Sequence, residues 1–274
     1  MAVAAQQQSP PRWRLQIAPL LISLALLVGV AIFLYPSAAS WVSQYQQAQQ
    51  VTGYTQSVSE LTEQERAAAL EAARDYNARL GRPPIVDPFS NNPDAYVTES
   101  GYDNVLQTPG GVMARLHIPT IDVDLPIYHG TSEETLMKGI GHLEGTSLPV
   151  GGPGTHAVLT GHRGLPEAMI LTELDKVEFG DTFTIETFGE VMTYEVTGTE
   201  VVLPHETEKL YPQAGREQVT LITCTPLGVN SHRILVTGDR IPTPEQMIDS
   251  AQDPGPPFPW WAVVAAITLA AAVA

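Results

Sequence analysis

The sequence predicts a mainly β domain, a sheet sandwich or closed barrel, preceded by helices and flanked by apolar segments. Three observations lead there. Seven short β-rich runs, at residues 112–118, 123–127, 156–160, 182–187, 191–202, 218–224 and 234–237, are separated by Gly- and Pro-bearing turns. A Gln- and Ala-rich stretch without Pro precedes them at residues 41–80. Residues 15–35 and 260–274 are apolar and carry no charge.

Taken in order, residues 1–14 form a short tail bearing Arg12 and Arg14, and residues 15–35 are long enough to cross a hydrocarbon core of about 30 Å. The apolar run exceeds the core of a signal peptide, although Ser37-Ala38-Ala39-Ser40 loosely resembles a cleavage site, so an uncleaved anchor is expected. Two arginines on its N-terminal side place the tail in the cytosol and the rest of the chain outside.

Residues 36–109 read as a helical region followed by a loop. Thr62-Glu63-Gln64-Glu65 has the pattern of a capping box, in which the threonine hydroxyl and the glutamate carboxylate satisfy each other's free N–H groups. The helix it opens should reach about Leu80, with Gly81 as its C-terminal cap and Pro83-Pro84 preventing continuation. Residues 85–107 carry turn chemistry and little periodicity, and a loop of that length is usually functional or disordered. The β domain occupies residues 110–241, with short helices expected at 132–138 and 166–171. A Pro-rich linker at 242–259 leads to residues 260–274, which open on Trp260-Trp261 and read as a second anchor, truncated or short of a full crossing.

The formal charge is −16, and beyond the two N-terminal arginines 12 basic residues face 30 acidic ones, a balance of −18. That argues against nucleic acid and against docking on anionic lipid by charge. A single cysteine in an exported chain excludes an internal disulfide, so the core must hold the fold. No metal-ligand spacing appears, and no cofactor is expected.

That cysteine, Cys224, ends the run Thr220-Leu221-Ile222-Thr223-Cys224, and the loop after it returns at Arg233. If the two runs pair antiparallel, thiol and guanidinium stand together at one end of the sheet. A fixed positive charge there would favour thiolate and bind an oxyanion. Free cysteines are also among the most buried residues, so an inert core thiol stands as the alternative. Acyl transfer further needs a proton carrier. His162, in Thr160-Gly161-His162-Arg163-Gly164, follows an apolar strand directly. His156 at the other end of that strand is the rival, His142 could cap a turn, and His117, His129, His205 and His232 have no evident setting.

The Thr-Leu-Ile-Thr-Cys motif, Arg233 nine positions later, Thr160-Gly161-His162 upstream and the N-terminal anchor closely resemble the sortase family of Gram-positive cell-surface transpeptidases. The resemblance covers residues 110–240 and implies an eight-stranded sortase-type β-barrel. It implies that His162 rather than His156 is the catalytic histidine. By the same resemblance Cys224 attacks the Thr–Gly carbonyl of an LPxTG-like sorting signal, His162 protonates the departing amine, and Arg233 stabilises the oxyanion. An amine then resolves the thioacyl enzyme.

Asp87-Pro88-Phe89 resembles the lid of the pilin-polymerising class C sortases, with Phe89 where the family often has Trp. The resemblance implies that Asp87 pairs with Arg233, that Phe89 covers Cys224, and that the partners are pilin subunits bearing sorting signals and acceptor lysines. Asp-Pro by itself is a common turn opener. A housekeeping sortase joining proteins to cell-wall peptidoglycan is the alternative within the family. An L,D-transpeptidase would carry Gly before the cysteine and Arg after it, where Thr223 and Thr225 stand here. A non-catalytic membrane-tethered binding domain would need no reactive thiol.

Overall fold

A computed structural model describes residues 17–90, 101–165, 170–245 and 258–273. Two compact units result: one comprises the chain up to Ala38 together with Phe258 onward, the other Ala39–Pro257. Arg12, Arg14, most of the Pro-rich linker and residues 166–169 of an expected short helix lie outside the described residues.

Helix α1 (Ile17–Ser59) continues well past Tyr35, with Pro36 inside it. The apolar run and the helical stretch after it are therefore one element, because the Ala- and Gln-rich sequence beyond Pro36 keeps helical propensity. Its apolar part is long enough to cross a membrane and has no buried residue, which makes it a candidate anchor. The C-terminal helix α4 (Trp260–Val273) is shorter and likewise apolar.

Helix α2 (Glu63–Arg79) starts at the expected capping box: the Glu65 N–H donates to the Thr62 hydroxyl, and the Glu65 carboxylate accepts from the Thr62 N–H. Its C-cap differs from expectation. Leu80, in extended conformation, donates its N–H to Tyr76 O, and Gly81 does not adopt a left-handed cap. Leu70, Ala73 and Tyr76 recur at helical spacing and are buried in the main core. Asn77 fixes the helix by a two-way amide bond, donating to Leu148 O at 3.0 Å and accepting from Leu148 N–H at 2.7 Å.

Eight strands close into a barrel in the order β1-β2-β3-β4-β7-β8-β6-β5. They are β1 (Val112–Ile118), β2 (Val123–His129), β3 (Ile140–His142), β4 (Thr155–Thr160), β5 (Thr182–Thr187), β6 (Glu190–Val202), β7 (Glu217–Thr225) and β8 (His232–Ile241). The eight-stranded barrel implied by the motif is thus present. The sequence runs matched seven of these strands. The one they did not show, β3, is three residues long and fully buried, so it carries no period-2 alternation. Gly141 within it is required by space, since a Cβ would lie 2.5 Å from Gly130 O. Helix α3 (Glu133–Lys138), between β2 and β3, sits where a short helix was expected.

Most neighbours pair antiparallel, but β2–β3 and β4–β7 run parallel. Strand β7 is covered on both sides. Val219 and Leu221 join the barrel core, whereas Ile222 belongs to an outer cluster with Val158, Leu235, Leu143, Leu210 and Ile85. Burying such side chains contributes roughly 1.5–3 kcal/mol each, so the strand that ends at Cys224 is held rigidly from inside and outside.

Candidate active site

Two registers assemble the site. Strands β7 and β8 pair antiparallel with Cys224 directly opposite Arg233, as the short connection between them predicts. Strands β4 and β7 pair parallel with Thr160 opposite Ile222. Two residues beyond each partner lie His162 and Cys224, so the histidine and the thiol leave neighbouring strands at the same end. His156 faces Gln218 at the opposite end of β4.

Local bonds fix the two strand ends to each other. Gly161 N–H donates to Ile222 O at 3.1 Å, and the Thr160 and Thr223 hydroxyls donate to Ile222 O and Gly161 O at 3.2 and 2.8 Å. Gly161 admits no side chain, since a Cβ would stand 2.6 Å from Ile170 Cγ2. Arg163 extends this brace. Its guanidinium donates to Thr172 O at 3.0 Å and to the Thr225 hydroxyl at 3.1 Å, and pairs with Asp175 at 2.6 Å. The residue after the histidine is thereby tied to the residue after the cysteine. Sequence reasoning missed Arg163 because nothing local shows that its partners converge.

Cys224 is buried, at 7% exposure. Its thiol is pushed above the ordinary range, first by burial; the Arg233 charge acts the other way, and Asp87 adds to the rise. The Arg233 charge favours thiolate, as expected. The guanidinium is present, but desolvation and a carboxylate outweigh it.

Arg233 has every nitrogen engaged. Nε and Nη2 donate to the two Asp87 carboxylate oxygens, each at 2.7 Å, and Nη1 donates to Asn230 O and His232 O at 2.9 and 3.0 Å. Burial works to lower its basicity, but the Asp87 hydrogen bond and charge raise it overall. Asn230 reaches this position with φ +57°, a left-handed conformation that Asn tolerates better than most residues.

Asp87 and Phe89 arrive on a tight turn after α2. Ser90 donates its N–H and its hydroxyl to Asp87 O at 3.0 and 2.7 Å. The Phe89 ring lies 5.9 Å from the His162 ring and 5.0 Å from the Arg233 guanidinium carbon. Phe89 therefore packs against both partners of the cysteine. Tyr211 anchors the approach to this turn: its hydroxyl accepts from Ile85 N–H at 3.1 Å and donates to Pro83 O at 3.2 Å. Tyr211 carried no signal in the sequence.

Three other histidines, His156, His142 and His129, have structural settings. His156 Nε2 bonds the Thr220 hydroxyl at 2.7 Å, and burial lowers its pKa to about 4. His142 is buried in β3 between Tyr102 Oη and Ser147 O, at 2.8 Å from each, with its pKa also lowered to about 4 by burial, so it does not cap a turn. His129 lies 2.8 Å from Val105 O. His162 differs from these: its Nε2 is buried, has no hydrogen-bond partner among the described residues, and faces Glu133 Oε1 at 3.4 Å.

Comparison with known proteins gives the family. Residues 116–241 match the model of the Sortase domain. Sortase C-1 from Actinomyces oris is 48% identical, with a TM-score of 0.62, over 65% of this chain and 99% of that one. The chain belongs to the sortase family. Sortase C of Streptococcus pneumoniae, whose structure was described in relation to catalysis and pilin substrate specificity, is 40% identical with a TM-score of 0.65, over 70% of this chain and 96% of that one. Sortase A of Bacillus anthracis is 29% identical over 132 residues, 48% of this chain. The chain spans 61% of the length of that curated relative.

Proposed function

We propose that this sortase is a membrane-anchored cysteine transpeptidase of the pilin-joining class, working on the external face of the membrane. Cys224 adds as thiolate to the threonine carbonyl of an LPxTG-like signal, and Arg233 receives the developing oxyanion. As the tetrahedral species collapses, the C–N bond to glycine breaks and His162 gives its proton to the leaving amine. A thioester results, and it keeps acyl-transfer potential. A pilin lysine amine attacks it, loses a proton to His162, and releases the thiolate as an isopeptide bond forms. No ATP is required.

The observation that carries the pilin reading is the seating of Asp87 and Phe89 on Arg233 and His162. With Nε and Nη2 of Arg233 both bonded to Asp87, the carboxylate competes directly with an oxyanion for the guanidinium, so the turn acts as a lid that substrate displaces. Similarity to sortase C structures supports the same class.

The test is mass spectrometry of the full chain in detergent, incubated with an LPxTG-type peptide and a lysine-bearing pilin domain, beside Cys224→Ala. A Cys224-dependent peptide–pilin isopeptide adduct is expected. Thioester or hydrolysed peptide without lysine transfer in a lid-opened variant would replace the pilin reading by cell-wall joining. No reaction of that variant at all would reduce the chain to a tethered binding domain.

A further inference from the structure

We infer that Glu133 is a positioning residue for His162, orienting the ring through its Nε2 while the lid is open. The inference rests on the proposed role of His162 as proton carrier. Its basis is the setting of one nitrogen: His162 Nε2 is buried, makes no hydrogen bond among the described residues, and has the Glu133 carboxylate at 3.4 Å. A protonated ring in that position carries a buried N–H that needs an acceptor, and Glu133 is the acceptor placed toward it.

The helix that carries Glu133 is placed by a rigid path. Ser132 caps α3, accepting from Thr135 N–H at 3.1 Å, so Glu133 is the first residue of the helix. Leu136 is buried beneath α3, and Gly141 of β3 packs on it so closely that a Cβ would lie 2.9 Å from Leu136 Cδ2. Gly141 in turn pairs with Thr160 of β4, two residues before His162. The neighbouring acid is already committed, because Glu134 pairs with Lys138 at 2.6 Å.

The groups facing the His162 ring are Glu133 from α3 and the Phe89 ring from the lid, with Asp87 and Arg233 behind that ring. When the lid leaves, Phe89 and the Asp87 charge go with it. Glu133, on a different element, stays. It thus keeps a negative charge beside the histidine in the state that turns over, and with Nε2 turned toward Glu133 the other ring nitrogen, Nδ1, is left to serve the departing amine.

The competing explanation is that Glu133 only complements the start of α3, as an acid in a first turn does. Glu134 has that same position without touching His162, which makes Glu134→Gln the matched control. In the full chain in detergent carrying Asp87→Ala to open the lid, cleavage of a fluorogenic LPxTG-type peptide is followed for Glu133→Gln, Glu133→Asp and Glu134→Gln. Because the Glu133 side chain is largely exposed, an effect of only about three- to fivefold is expected. Glu133→Gln should lower kcat by that factor with KM unchanged, Glu133→Asp should recover part of it, and Glu134→Gln should match the Asp87→Ala parent. Equal rates for Glu133→Gln and Glu134→Gln, or a change in KM alone, overturn the inference while leaving the transpeptidase reading intact. If the Asp87→Ala parent labels at Cys224 yet cleaves no peptide, the reading and the inference fall together.

Discussion

Asp87 and Arg233, 146 residues apart in the chain, meet in a two-point salt bridge with both N···O distances at 2.7 Å and both side chains nearly buried. Burial is the main cause of the raised thiol pKa, and this contact adds to it. The salt bridge occupies Nε and Nη2 of Arg233, and it sets a negative charge against the guanidinium that favours thiolate. Removing the carboxylate acts on access and on ionisation in the same direction. Asp87→Ala should speed alkylation of Cys224 near neutral pH severalfold, because it opens access to the thiol and removes a charge that raises its pKa. Phe89→Ala should speed it less, since the salt bridge remains. The check is the rate of mass gain with a thiol reagent, and unchanged rates in both variants would remove the lid assignment.

Tyr211 offers a milder route to the same opening. Its hydroxyl is the shared partner of Ile85 N–H and Pro83 O, just before the Asp87 turn, while its ring packs beside Ile85, Leu210 and Leu235. Tyr211→Phe keeps the ring and deletes both hydrogen bonds, a loss of about 1 kcal/mol in local holding. Labelling of Cys224 should rise about threefold to fivefold, less than for Asp87→Ala, with little change in thermal midpoint. Labelling slower than the parent would show that Tyr211 does not hold the turn closed.

How much of this was legible in the sequence follows from how local each contact is. The Cys224–Arg233 pairing could be read because a short connection between two strands dictates antiparallel neighbours. The choice between His162 and His156 could not be made from the residues alone. Both flank one strand, and only the parallel β4–β7 register, set by a crossover of more than fifty residues, decides which end meets Cys224. The rise of the thiol's pKa could not be read from the strand pair alone, because its main cause is burial and the carboxylate that adds to it comes from the distant turn at Asp87. Arg163, Tyr211 and Glu133 act through partners on other elements, so no local pattern marks them. Strand β3 escaped because three residues buried on both faces have no alternation to read.

The bond from the Thr223 hydroxyl to Gly161 O, at 2.8 Å, joins the residue before the cysteine to the residue before the histidine, and both groups are buried. Thr223→Val preserves shape and leaves that carbonyl without its donor. A cost of about 1–3 kcal/mol is expected, visible as a lower thermal midpoint. Turnover of an LPxTG-type peptide by the lid-opened chain should fall on the order of tenfold, because small displacements of paired catalytic groups are expensive in rate. A variant that loses stability but keeps full turnover would show that the strand ends are positioned by other contacts, the Arg163 brace first among them.

Buried histidines make the barrel sensitive to acid. His142 and His156 both have pKa values lowered to about 4, in each case chiefly by burial. In the unfolded chain an imidazole takes up its proton near pH 6.5. Between those values the unfolded state binds more protons than the folded state, so stability is full above about pH 6.5 and falls as pH drops toward 4. Below that the loss levels off. Each histidine should cost about 2 kcal/mol by pH 5 and on the order of 3 kcal/mol at the plateau. Thermal midpoints of the full chain in detergent at pH 7, 6 and 5 should fall steadily. His156→Gln lowers the midpoint at pH 7 by disturbing the bond to Thr220, yet its side chain takes up no proton, so the fall from pH 7 to pH 5 should be shallower than in the parent. An equally steep fall in His156→Gln would assign the acid sensitivity to other groups.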